Sequence, residues 1–191
     1  MKAFFNSPCK TEYFNTSNEF SPERLGEGIL KYMQELCTKK CTPIILGIGT
    51  DRATGDCLGP LVGEMLKKYN PRFTVFGTLD SPVHALNIRD TIQHINSNFF
   101  NPFVIAIDAS LGSSAHIGYI TVSNSPIWPG KGVNKKLPAI GDISITGIVN
   151  VSGKNPSLLQ TTRLYTVMQL AEYISAGLKY SIDYLDDFCP L

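Results

Sequence analysis

Aspartates recur where the apolar runs of this chain give out. Asp51 and Asp56 follow the run Ile44-Ile45-Leu46, Asp80 closes FTVFGTL, and Asp108 closes FVIAI. If these runs are parallel strands, their carboxyl ends lie along one edge of a sheet, and acids from distant segments converge there. Two carboxylates in a partly desolvated cleft cannot both ionise at the ordinary pKa. One keeps its proton, which sets an acid beside a base. Aspartate is also common in turns and helix caps, so each of these residues taken singly reads first as a cap. The recurrence is what singles out Asp56 and Asp108.

Other chemistries find less support. Gly47-Ile48-Gly49 opens like a dinucleotide fingerprint, but Arg52 takes the place of the third glycine, and no GxxxxGK[ST] loop is present. A nucleotide site is not expected. Cys57 follows Asp56 near a helix start, where a thiolate is favoured, and with His84 it would make a nucleophile pair. The simpler reading is a small buried residue beside Leu58. His84, His94 and His116 lack the spacing of a transition-metal cage. Magnesium held by one or two acids and a substrate phosphate stays open. Lys131 and Lys135, in a glycine-proline loop, are solvated charges by default and otherwise orient a substrate across the cleft.

The elements that must position these residues follow from the pattern. Lys10 to Asn15 fits a short edge strand. Ser21-Pro22-Glu23 starts a helix with a serine cap, proline in the first turn and an acid near the dipole's positive end. Leu25, Ile29, Met33 and Leu36 share its inner face, and Lys39-Lys40 fall at its end. Pro43 to Val62 reads as buried strand, charged glycine loop, then a helix to about Tyr69. A strand over Phe73–Leu79, a helix over Val83–Phe99 and a buried strand over Phe103–Ile107 come next. Ile117–Ser123 alternates as a half-exposed strand. PIWPGKGVNKKLPAIGD is too rich in proline and glycine for regular structure. Ile143–Val151 is a further strand, and Asn155-Pro156 caps a long final helix. Strands alternating with helices predict a single three-layer α/β/α domain on a largely parallel, mixed sheet.

Composition sets the outer bounds. With 191 residues, 43% hydrophobic and 17% charged, the chain has the makeup of an ordinary globular domain. A net charge of +1 gives no electrostatic case for direct nucleic-acid binding or an anionic membrane surface. No apolar run approaches the roughly 20 residues that span a bilayer. The first residues do not read as a signal peptide. The five cysteines lack CxxC spacing and read as reduced thiols of a cytoplasmic protein.

GIGTDRATGDCLGP, GTLD, VIAIDASLG and PGKGVNKKLPAIGDISITGIVN together resemble the YyaC-type family of sporulation proteins, a group of spore proteases. That family is similar to the germination protease of spore formers and, more distantly, to hydrogenase maturation endopeptidases. The resemblance runs from Pro43 to Asn150. It implies a phosphorylase/hydrolase-like α/β/α fold and an endopeptidase of sporulation or germination, located in the cytoplasm of the spore or sporulating cell. It also implies that Asp56 in GDCLGP and Asp108 in IAIDAS are the catalytic acids. In the hydrogenase proteases these places, with a histidine, touch the nickel of the substrate, and no histidine here matches that one. Asp51 and Asp80 would shape the same cleft, and Gly47 and Gly49 would let the chain approach the substrate closely. Small DNA-protecting spore proteins or a specific precursor are the implied substrates. No cofactor or resident metal is called for, and a homo-oligomer is compatible with the apolar final helix. A non-catalytic peptide-binding descendant and a metal-dependent hydrolase are the competing readings.

Overall fold

A computed structural model describes residues 9–16, 21–69, 74–129, 138–153 and 158–184. Among the described residues, six strands form one sheet: β1 (Thr11–Asn15), β2 (Thr42–Gly47), β3 (Thr74–Phe76), β4 (Pro102–Gly112), β5 (Tyr119–Ser123) and β6 (Ile143–Val151). Their order across the sheet is β1-β5-β6-β4-β2-β3. The pairs β3–β2, β2–β4 and β4–β6 are parallel, whereas β5 runs antiparallel to both β6 and β1. The α-helices flanking it are α1 (Pro22–Leu36), α2 (Leu58–Tyr69), α3 (Ile88–Asn98) and α4 (Leu164–Asp183). The architecture is the expected three-layer α/β/α on a largely parallel, mixed sheet.

The layers follow from strand alternation. Phe103, Ile105 and Ile107 of β4 join the larger core, where they meet residues of α1, α2 and α4 such as Ile29, Val62 and Ile174. The alternate β4 residues Val104 and Ala106 face the other way, against Ile88 and Ile92 of α3 and against Leu46, Ile48, Val83 and Ile140. Helices α1, α2 and α4 thus cover one face, and α3 covers part of the other. Ile44, Ile45 and Leu46 are completely buried, as a central parallel strand requires. Each such side chain contributes about 1.5–3 kcal/mol by leaving water.

Local signals set most element ends. Ser21 caps α1, its hydroxyl accepting from the Arg24 N–H at 3.4 Å, with Pro22 in the first turn. β1 and β6 fall where the pattern puts them. Other boundaries differ. β3 covers only Thr74–Phe76 within its expected span. α3 begins at Ile88, because Val83 is held in a parallel bridge to Ile48 and Asn87 accepts from the His84 N–H at 2.8 Å, which folds 83–87 into a strap. α4 starts at Leu164, and the expected cap Asn155-Pro156 lies outside the described residues. Lys39-Lys40 lie past the end of α1 and not in its last turn.

Two expectations need correcting. Cys37 and Cys41 are joined by a disulfide, where the cysteine spacing points to reduced thiols. Four residues of separation past the end of α1 bring their Cα atoms to 6.5 Å, within bridging range. Cys9 and Cys57 are free. Second, Asp108 does not close its strand: β4 continues through it to Gly112, because β6 pairs alongside as far as Val151. What ends near Asp108 is β2, whose last paired residue, Gly47, stands opposite Ile107. Among the described residues, no helix is long and apolar enough to cross a membrane.

Candidate active site

The loop after β2 is closed by its own backbone. The Ile48 N–H donates to the Ile107 carbonyl at 2.7 Å, carrying the chain one step beyond the strand. Gly49 then turns with φ +137° and donates to the Val83 carbonyl at 2.8 Å. Thr50 N–H reaches the Asp56 carbonyl at 3.1 Å, Asp56 N–H reaches that of Ala53 at 3.0 Å, and Gly55 N–H reaches that of Leu159 at 2.7 Å. Asp56 therefore sits in a pinned turn, Gly55–Cys57, that runs directly into α2.

Glycine is required at Gly49. A Cβ there would lie 1.9 Å from the Asp56 carbonyl oxygen, on a backbone that L side chains rarely adopt. At Gly47 a Cβ would stand 2.4 Å from the Gly59 carbonyl oxygen, so the strand end and the start of α2 touch through backbone. Both glycines are buried. What each admits at its missing Cβ is the backbone of the chain itself.

Asp108 comes to the same place from β4. Its Oδ1 accepts from the Ala109 N–H at 2.8 Å. Burial pushes its carboxyl up to about 8, and the negative charge of Asp56 adds to the rise, against the Ala109 bond. Burial also raises Asp56, opposed by a backbone bond from Thr50 and by the charge of His84. The charge of an acid from one segment thus bears on the ionisation of an acid from another. Beside Asp108, Ser110 Oγ donates to Thr146 Oγ1 at 3.3 Å, and Thr146 and Thr121 share a bond of 2.7 Å.

The remaining predicted residues are placed differently. Asp51 lies exposed on the loop, its carboxylate accepting from Thr50 Oγ1 at 3.4 Å. Asp80 is engaged elsewhere: it pairs with Lys67 at 3.2 Å and accepts a bond from Thr78 Oγ1. These bonds, Thr78 first, hold Asp80 below the usual carboxylate range. It is not drawn into the Asp56–Asp108 pair. Lys131 and Lys135 lie outside the described residues. Cys57 is buried, donates to the Thr54 carbonyl at 2.9 Å, and is raised by burial, as suits a packed thiol.

His84 has a place that sequence reasoning misses. The pattern offers it as a partner for Cys57, whereas its charge acts on Asp56. The Leu86 N–H points at its Nδ1 at 3.3 Å. The readable signal is Asn87, three residues on, whose side chain fixes the strap. Among the described residues, no group of three or more His, Cys, Asp or Glu is placed to hold a metal ion.

The family model described as "Protein of unknown function (DUF1256)" matches residues 14–177. The chain belongs to the DUF1256 family. The match includes both Asp56 and Asp108. A relative of this DUF1256 chain by sequence is "Uncharacterized protein YyaC" of Bacillus subtilis (strain 168), 50% identical over 137 residues, 71% of this chain and 67% of that protein. This bears out the resemblance read from the motifs. Among solved structures, the chain is similar to a [NiFe] hydrogenase maturation protease, HycI, from Thermococcus kodakarensis KOD1. The two are 18% identical with a TM-score of 0.49, over 77% of this chain and 98% of that one. At that level nothing about the activity of the DUF1256 chain follows from the likeness.

Proposed function

We propose that the chain is an endopeptidase of sporulation or germination that hydrolyses peptide bonds of protein substrates through Asp56 and Asp108. The observation that carries this reading is the effect of the Asp56 charge on Asp108, a carboxyl from a separate segment that holds its proton up to about 8. At neutral pH Asp108 then keeps its proton and hydrogen-bonds the scissile carbonyl oxygen. Asp56, raised less, is the base. Water attacks the carbonyl carbon as its proton passes to Asp56. On collapse the C–N bond breaks, and the proton leaves Asp56 for the departing amine. Small DNA-protecting spore proteins are the substrates that the family resemblance suggests.

The test is cleavage of such purified proteins by wild type, Asp56→Asn and Asp108→Asn. Loss of at least ~100-fold in kcat for each variant supports the pair. Cleavage at the wild-type rate by both variants removes the two acids from the mechanism.

A further inference from the structure

β4 outruns β2. The β2–β4 ladder ends at Gly47 opposite Ile107, and the Ile48 N–H closes it on the Ile107 carbonyl. β4 then continues from Asp108 to Gly112, paired on its other side with β6. The register shift there places Ser110 opposite Ile148 and Leu111 opposite Asn150, so the extra residue belongs to β6 and β4 keeps its alternation. Ile107 turns its carbonyl toward β2, and Gly112 turns its carbonyl to the β6 side, where Ser152 N–H donates at 2.7 Å. By the two-residue period, Ala109 and Leu111 direct their backbone groups to the side that β2 has vacated. The Ala109 N–H is taken by Asp108. The Ala109 carbonyl and the Leu111 N–H and carbonyl have no partner strand among the described residues, and this stretch is half-exposed. On the far side of the vacated position lies the strap, since Val83 pairs with Ile48 where β3 would continue.

We propose that the substrate enters as an extended segment that adds itself to the free edge of β4 at Ala109–Leu111, filling the place of a continued β2 between β4 and the strap. The proposal rests on the proteolytic reading and names how that site takes its substrate. Main-chain bonds to Ala109 and Leu111 hold the segment in register, and Asp108, next along the same strand, meets its backbone. An edge that binds main chain selects for an unfolded, extended segment over a folded surface. The strand is rigid at this point because β6 secures its other side.

Amide exchange followed by NMR on Asp108→Asn, which keeps substrate intact, tests this with and without a small DNA-protecting spore protein. The Leu111 amide slows by at least ~10-fold at saturating spore protein. An unchanged Leu111 amide overturns the edge, whether the protein binds elsewhere or not at all. Leu111→Pro removes the donor without touching a bond to β6, and it raises KM at least ~10-fold with kcat within ~3-fold. An unaltered KM in a folded Leu111→Pro chain also overturns it. Leu111 protection without cleavage by wild type keeps the edge and removes hydrolysis. Cleavage that needs both acids but leaves Leu111 unprotected keeps hydrolysis and removes the edge.

Discussion

Asparagine at position 108 makes the chain more stable in alkali and leaves it nearly unchanged in acid. The reason is the ionisation that the fold resists. In the unfolded chain Asp108 loses its proton near 3.8, but in the folded chain only near 8. Between these values the native state binds more protons, so wild-type stability falls as pH rises and levels off above about 8. The full interval corresponds to roughly 6 kcal/mol, at about 1.36 kcal/mol per pH unit. Water entry and side-chain relaxation soften a buried charge, so about 3 kcal/mol is the expected reading. Asparagine has no proton to lose, and its Oδ1 can keep the bond from Ala109. Urea unfolding of both chains from about pH 4 to about pH 9, bracketing the two ionisations, gives the difference directly. It should grow with pH toward that value. A difference that stays flat across the range refutes the claim that the fold holds Asp108 protonated.

Three further outcomes follow from the site. Gly49→Ala should cost on the order of 3 kcal/mol in denaturant unfolding and depress kcat, because the added Cβ meets the Asp56 carbonyl on a left-handed backbone. Asp80→Asn loses an exposed pair with Lys67, so Tm should move by no more than ~2 °C and cleavage should stay within ~2-fold. Cys57→Ala should cost about 1 kcal/mol and leave cleavage within ~3-fold, since a packed thiol is no nucleophile; loss of cleavage in a folded variant would reinstate it.

The sequence is most legible where local chemistry and burial agree. Ser21-Pro22 set the start of α1, and the run Ile44–Leu46 marks a strand buried on both faces, since each signal is complete within a few residues. Asp56 and Asp108 are legible as candidates because each follows an apolar run. Their relation to the strand ends is not. Asp108 sits inside β4 because β6 extends the ladder past β2, and a partner's length cannot be read from the strand itself. Asp80 follows the same sequence pattern yet pairs with Lys67, since β3 ends at Phe76 and Asp80 itself, four residues on, is exposed. The strap at 83–87 hides for a related reason: Val83 and Ile88 fit one apolar pattern, but the bridge from Val83 to Ile48 takes the first of them out of the helix. The Cys37–Cys41 bridge escapes because four-residue spacing carries no compartment signal.

The most direct measurement is a carbon-13 NMR titration of the Asp56 and Asp108 side-chain carboxyls in wild type and in Asp56→Asn. Asp108 should titrate well above the ordinary carboxylate value of about 4 in wild type, and at a lower pH once the neighbouring charge is gone. Two carboxyls that titrate independently in the ordinary range, with Asp108 unmoved by the substitution, would contradict the paired site.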